Sequence, residues 1–184
     1  MKVALIGNMN NNFYSFFRYF KDLKIDVELL IFKNEPKIFD IKNDEPDKID
    51  KIKIKKLSWG DRFDLIKTPK IKIYNDLKKY DVLIGCGLSP AFCYKAGLHL
   101  DIFVPYGADI YYFTKFNLTY PKNLLSLLYT SYYQKKGLKQ CKIWHRPLTN
   151  HLYEDVFNNY KGKAKRWIAP IPYVYHKAYN KNFI

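Results

Sequence analysis

Cysteine is scarce in this sequence: Cys86, Cys93 and Cys141 are the whole supply among 184 residues. Three thiols cannot build a disulfide framework, and no two of them form a C-x-x-C pair. A reducing cytosol is the simplest compartment for such a chain. Long apolar runs are missing as well, since no stretch reaches the roughly 18 residues of a membrane-spanning helix. The run from Met1 to Gly7 has one charge and then a short apolar stretch. That is too short for the core of a signal peptide and has no small-residue cleavage site, so it reads as a first core strand. The histidines His99, His145, His151 and His176 show no zinc-ligand spacing, so no metal site is expected. There is no G-x-x-x-x-G-K-[ST] and no G-x-S-x-G, which leaves P-loop and hydrolase chemistry without support. Acidic residues are few, 17 against 32 Lys and Arg, giving a net charge of +15.

What is present is apolar and aromatic. Hydrophobic residues make up 48% of the chain and aromatics 18%, led by 17 Tyr and 13 Phe. This supplies a core for one domain and excludes a disordered basic tail. The positive charge admits nucleic acid, an anionic membrane surface or a phosphorylated small molecule as partner. It also fits a composition bias, because Lys, Asn, Ile, Tyr and Phe are all abundant.

Short apolar runs alternate with helical patterns. Val3–Ile6 is a continuous apolar run ending on Gly7, as a strand buried on both faces does. The polar run Asn8–Asn12 follows, then Phe13, Phe16, Phe17, Phe20 and Leu23 at helical spacing, with Asn11 or Asn12 as the cap. Val27–Phe32 is a second strand, completing a unit of βαβ size. Residues 33 to 50 hold Glu35, Asp40, Asp44, Glu45, Asp47 and Asp50 beside Pro36 and Pro46, and read as a loop whose charges are solvated. An edge-like strand ends near Trp59, and a helix is expected from about Pro69 to Lys79. Asp81–Gly85 is the next strand, and Ser89-Pro90 supplies an N-cap and first-turn proline for a helix to about Gly97. Further strands are expected at Asp101–Pro105, Lys142–His145 and Arg166–Pro170, with helices over 122–139 and from Pro147 to about Tyr160. The 122–139 helix carries Leu124, Leu125, Leu127, Leu128 and Tyr129, with Gly137 a weak point. It suits burial over the sheet or, with its lysines, an anionic lipid surface. The pattern implies an α/β fold, a Rossmann-like doubly wound, mostly parallel sheet of six to seven strands with helices on both faces.

Ligands of such sheets bind outside the carboxyl ends of the strands. Those ends carry Gly7-Asn8, Gly85-Cys86-Gly87, Tyr106-Gly107-Ala108-Asp109 and His145-Arg146. Glycines there either end strands or let the backbone approach a ligand. The first turn holds one glycine and not G-x-G-x-x-G, so a dinucleotide site is not expected. Asparagine amides suit hydroxyl-rich ligands, so Asn8, Asn11 and Asn12 are candidates for a sugar or phosphate, or for helix capping. Asp109 is the candidate base for an attacking hydroxyl, or an N-cap for the helix that follows. Arg146 beside His145 suits an anionic group or a surface ion pair.

The segments Met1–Asn8, Asp81–Gly87 and Val104–Ile110 resemble the N-terminal domain of GT-B glycosyltransferases of the family 4 type. Tyr106 stands where that family commonly has histidine, and the tail Ile168–Tyr175 is similar to the approach to its interdomain linker. The resemblance implies that residues 1–184 are one acceptor-side domain, with a nucleotide-sugar domain supplied in cis or in trans. It implies a sugar or lipid-linked acceptor, a nucleotide-sugar donor as co-substrate and no bound cofactor or metal. It places the protein in the cytoplasm, at the inner face of the membrane, in polysaccharide or glycolipid synthesis. Asp109 assists the acceptor in that reading, and Gly7 and Asn8 approach the donor phosphates. The alternatives are a non-catalytic basic module for anionic membrane or nucleic acid, and a small α/β enzyme complete in itself. Nucleic acid is disfavoured, because no recognised motif is present and the lysines are dispersed.

Overall fold

The structure, a computed structural model, describes residues 1–41, 54–114, 124–146, 151–170 and 175–176. Strand β1 (Lys2–Ile6) leads through a 3-10 turn into helix α1 (Asn12–Asp22) and strand β2 (Asp26–Ile31). Strand β3 (Ile54–Lys56) is followed by α2 (Arg62–Lys67) and α3 (Lys70–Leu77), then β4 (Val82–Gly85) and α4 (Ser89–Lys95). Beyond these come β5 (Ile102–Phe103), α5 (Ala108–Tyr111), α6 (Leu124–Gln140), β6 (Ile143–Arg146), α7 (His151–Tyr160) and β7 (Lys165–Ile168). Asp44, Glu45, Pro46, Asp47, Asp50 and Pro147 lie outside the described residues.

The seven strands form one sheet in the order β3-β2-β1-β4-β5-β6-β7, with every pairing parallel. This is the expected Rossmann-like α/β class. The chain steps outward from β1 to β2 and β3, then returns to place β4 on the other side of β1. Right-handed crossovers running in opposite directions put their helices on opposite faces. Side chains of β1 therefore serve two cores. Val3 and Leu5 pack with Phe13, Tyr14 and Phe17 of α1. Ala4 and Ile6 face the layer containing Leu65, Ile73, Phe92, Leu138 and Phe157. All strand carboxyl ends share one rim, and the reversal between β1 and β4 is the switch point where such sheets hold ligands.

Helix α6 departs from expectation. Its buried side is Ser126, Leu127, Thr130, Ser131, Gln134, Gly137 and Leu138, whereas Leu125 is 80% exposed and Leu128 and Tyr132 also face outward. Close backbone approach is the cause. A Cβ on Gly137 would lie 2.0 Å from the Pro90 carbonyl oxygen, so glycine lets α6 seat directly on α4. Gly137 is thus a packing requirement and not a weak point. Among the described residues, no helix is long and apolar enough to cross a membrane.

Candidate functional site

The turn after β1 is built around Asn8, which is fully buried. Its Oδ1 accepts the Tyr14 N–H at 2.9 Å, and its Nδ2 donates to Asn11 Oδ1 at 2.8 Å. The side chain that caps α1 is therefore Asn8, not the expected Asn11 or Asn12. Asn11 occupies the cap position in a left-handed conformation but makes no side-chain cap bond. Asn12 is buried in the first turn, its amide without a hydrogen-bond partner. Gly7 has φ +87°, and a Cβ there would lie 2.6 Å from Cys86 Sγ, so only glycine fits between the β1 and β4 ends.

Cys86 is buried and donates its thiol to the Ile6 carbonyl at 3.5 Å. Burial pushes that thiol well above its ordinary range, which keeps it protonated and removes it as a nucleophile. Gly85 ends β4 under Ser89, whose Oγ would lie 2.2 Å from a Cβ at that glycine. Ser89 lies inside α4 and does not cap it, because Leu88 is the cap residue.

Asp109 joins two rim turns. Its Oδ1 accepts the Tyr106 and Gly107 N–H groups at 3.0 and 2.8 Å, and its Oδ2 accepts the Gly87 N–H at 3.1 Å. The carboxylate thus reaches back to the residues before it and across to the β4 turn. An N-cap would instead bond the helix that follows. Burial, at 1% exposure, pushes the carboxyl up to about 6 although the three N–H groups pull it down. Gln134 of α6 holds the same turns from behind, Nε2 donating to the carbonyls of Gly87 and Asp109 at 3.0 Å each. Asp109 ties the two rim turns together, each of its oxygens accepting from backbone N–H groups.

The structure places a different carboxyl at the rim's opening. Glu35 follows β2, and its Oε1 accepts the Asn8 N–H at 2.5 Å. Its Oε2 is buried without a hydrogen-bond partner. Burial raises this carboxyl to about 7 against the pull of the Asn8 and Phe32 N–H groups. The solvated acidic loop expected there begins instead with a carboxyl folded into the rim. Glu35 lines a cavity of about 440 Å³ outside the ends of β1, β2 and β4, together with Met9, Phe32, Phe63, Cys86, Gly87 and Tyr112. Arg62 and Asp61 also line it.

The expected residues are therefore only partly brought together. Cys86 and Gly87 line the cavity, Gly7, Asn8, Gly107 and Asp109 shape the turns around it, and Tyr106 packs edge-on against Phe13 with ring centres 6.4 Å apart. His145 stands apart. It is buried, its Nε2 lies 2.5 Å from the Ala169 carbonyl, and burial lowers its pKa, so it ties β6 to β7 as a neutral ring. The expected anion site at this strand end is not built by His145, and the Arg146 side chain lies outside the described residues. Glu35 and Gln134 were not expected. A carboxyl just beyond a strand end was the available signal for Glu35. Gln134 had none beyond being an uncharged polar residue at a buried helical position. Among the described residues, no group of three or more His, Cys, Asp or Glu is placed to hold a metal ion. No protein-family model matches the chain, and no curated protein matches it.

Proposed function

We propose that this chain is the acceptor-binding domain of a sugar-nucleotide-dependent glycosyltransferase of the GT-B type, acting in surface polysaccharide or glycolipid synthesis. The observation that carries the reading is the cavity at the switch point, with aromatic walls and Glu35 among its lining residues. Aromatic faces and hydrogen-bonding carboxyls are what a sugar ring and its hydroxyls require. In this reading Asp109 and Gln134 hold the rim turns, and the cavity seats the acceptor. A hydroxyl of that acceptor attacks the anomeric carbon of a nucleotide sugar held by a second domain, in cis or in trans, and a nucleoside diphosphate leaves. The outward Leu125, Leu128 and Tyr132, continued by Lys136 and Lys139, suit a lipid-linked acceptor at the inner face of an anionic membrane.

The test is binding and transfer by the purified chain. Methyl hexosides are expected to shift amide resonances of Gly87, Leu88 and Phe63, with no transfer from nucleotide sugars by this chain alone. Transfer without any added protein overturns the division of labour, and absence of shifts overturns the acceptor site. A second reading rests on a groove of about 890 Å³ at the opposite, amino-end edge, lined by His99, Lys139, Lys142, Lys163 and Lys165. It makes the protein a basic module for polyanions. Tight binding to heparin or DNA, falling steeply with salt, would favour that reading.

A further inference from the structure

A phosphate or other anion at the rim of a parallel sheet is held by backbone N–H groups of the strand-end turns and of the helices that follow them. In this chain those donors are committed internally. After β1, the Asn8 N–H goes to Glu35 at 2.5 Å and the Asn11 N–H to the Asn8 carbonyl at 3.1 Å. The Tyr14 N–H goes to the Asn8 side chain at 2.9 Å. After β4, Gly87 donates to Asp109 and Ser89 to the Cys86 carbonyl, each at 3.1 Å. Pro90 brings no N–H to the first turn of α4. After β5, Tyr106 and Gly107 both donate to Asp109. Carboxyls and carbonyls of the chain itself stand where an anion would.

The cavity beside these turns is walled by apolar groups. Met9, Phe32, Phe63, Tyr112 and Phe113 line it, and Phe63 and Tyr112 are 42% and 44% exposed, so their surface is open to a ligand. The chain carries a net charge of +15, yet no described lysine lines this cavity. Among the described lining residues Arg62 is the one cation, against Glu35 and Asp61, and its guanidinium lies over the Phe63 ring at 4.9 Å. We propose that the rim cavity selects an uncharged acceptor by its apolar part, an aryl or alkyl aglycone packed against this wall, and rejects phosphorylated sugars. The inference rests on the acceptor-binding reading and names the class of acceptor.

The experiment titrates the whole chain with methyl hexoside, phenyl hexoside, hexose 6-phosphate and inorganic phosphate, following the amide resonances of Gly87, Leu88 and Phe63. Phenyl hexoside is expected to bind about tenfold more tightly than methyl hexoside, because its ring adds apolar area buried against the wall. The two phosphates are expected to leave these resonances unmoved at concentrations that saturate the phenyl hexoside site. Phe63→Ala, at an exposed position, should cut the phenyl preference to about threefold or less, read at Gly87 and Leu88. Equal affinity for the two hexosides, an unchanged preference in Phe63→Ala, or a phosphate that shifts these amides as strongly overturns this proposal and leaves the acceptor reading intact. No shifts from either hexoside overturns both. Should Phe63→Ala fail to fold, the comparison of probes on the wild-type chain decides alone.

Discussion

Two carboxyl groups stand at the same rim of the sheet and differ in what fills them. Asp109, beyond β5, is held by the N–H groups of Gly87, Tyr106 and Gly107, and its own turn is braced by Gln134. Glu35, beyond β2, receives the Asn8 N–H on one oxygen and leaves the other without a partner. Burial raises both, Asp109 to about 6 and Glu35 to about 7. A raised pKa therefore does not distinguish how the two rim carboxyls are held. The backbone partners do: Asp109 gathers three N–H groups from two turns, whereas Glu35 takes the Asn8 N–H on one oxygen.

The largest effect is expected at Asp109. Asp109→Ala leaves three N–H groups without their acceptor, that of Gly87 buried and those of Tyr106 and Gly107 half-buried. Each fully buried orphaned donor costs about 1–3 kcal/mol, and with two of the three half-buried the loss in urea denaturation should lie at the low end, about 3–5 kcal/mol. Asp109→Asn keeps one acceptor oxygen and should lose less. A loss under about 1 kcal/mol in the alanine variant would break the comparison by showing that the turns hold without the clamp. Next in size is Gln134→Leu, which strips the Gly87 and Asp109 carbonyls of their shared donor. It should cost about 1–3 kcal/mol in thermal denaturation.

The two carboxyls also differ in how legible they were. The strand-end turns of β1, β4 and β5 were readable because an apolar run closing on glycine marks a buried parallel strand wherever it occurs. Asp109 was readable as a rim residue, but its role was not. Whether a carboxylate bonds forward into a helix or backward to its own turn depends on local backbone angles that residue identity leaves open. Glu35 was hidden by its neighbours, since a run of acids and prolines reads as solvent-facing chain. Only the closure of Asn8 against β2 reveals that one of them turns inward. Helix α6 misled for a related reason. Its leucines outweigh Ser126, Thr130, Ser131, Gln134 and Gly137 in any hydrophobicity pattern, yet the small residues face α4 because backbone contact needs little side-chain volume.

A pH titration sharpens the contrast further. Both carboxyls hold their proton in the folded state at pH values where the unfolded chain has released it. Their contribution is thus most favourable below the ordinary values of 3.8 and 4.5, and stability falls as pH rises through about 6 and about 7. The decline should be on the order of 3 kcal/mol per group, read from urea midpoints. Asp109→Asn should flatten its lower part and Glu35→Gln its upper part. Buried His145, whose pKa is lowered, adds a slope of opposite sign, so the comparison is between wild type and variants: a pH dependence unchanged in both Asp109→Asn and Glu35→Gln would contradict the burial of the two carboxyls.

The smallest effect on stability is expected at Glu35 itself. Glutamine preserves a carbonyl oxygen for the Asn8 N–H and removes a charge that burial penalises, but it buries an NH2 donor where Oε2 has no partner, so its gain and loss nearly cancel. Glu35→Gln should stay within about 1 kcal/mol of wild type at neutral pH, while hexoside binding at the rim weakens. A group that is dispensable for folding and required for binding is placed for a ligand, whereas Asp109 should fail in folding first. If Glu35→Gln instead unfolds the protein as readily as Asp109→Ala, the two carboxyls are the same kind of clamp. The Glu35 carboxyl then belongs to the architecture of the β2 turn and not to the lining of a sugar site.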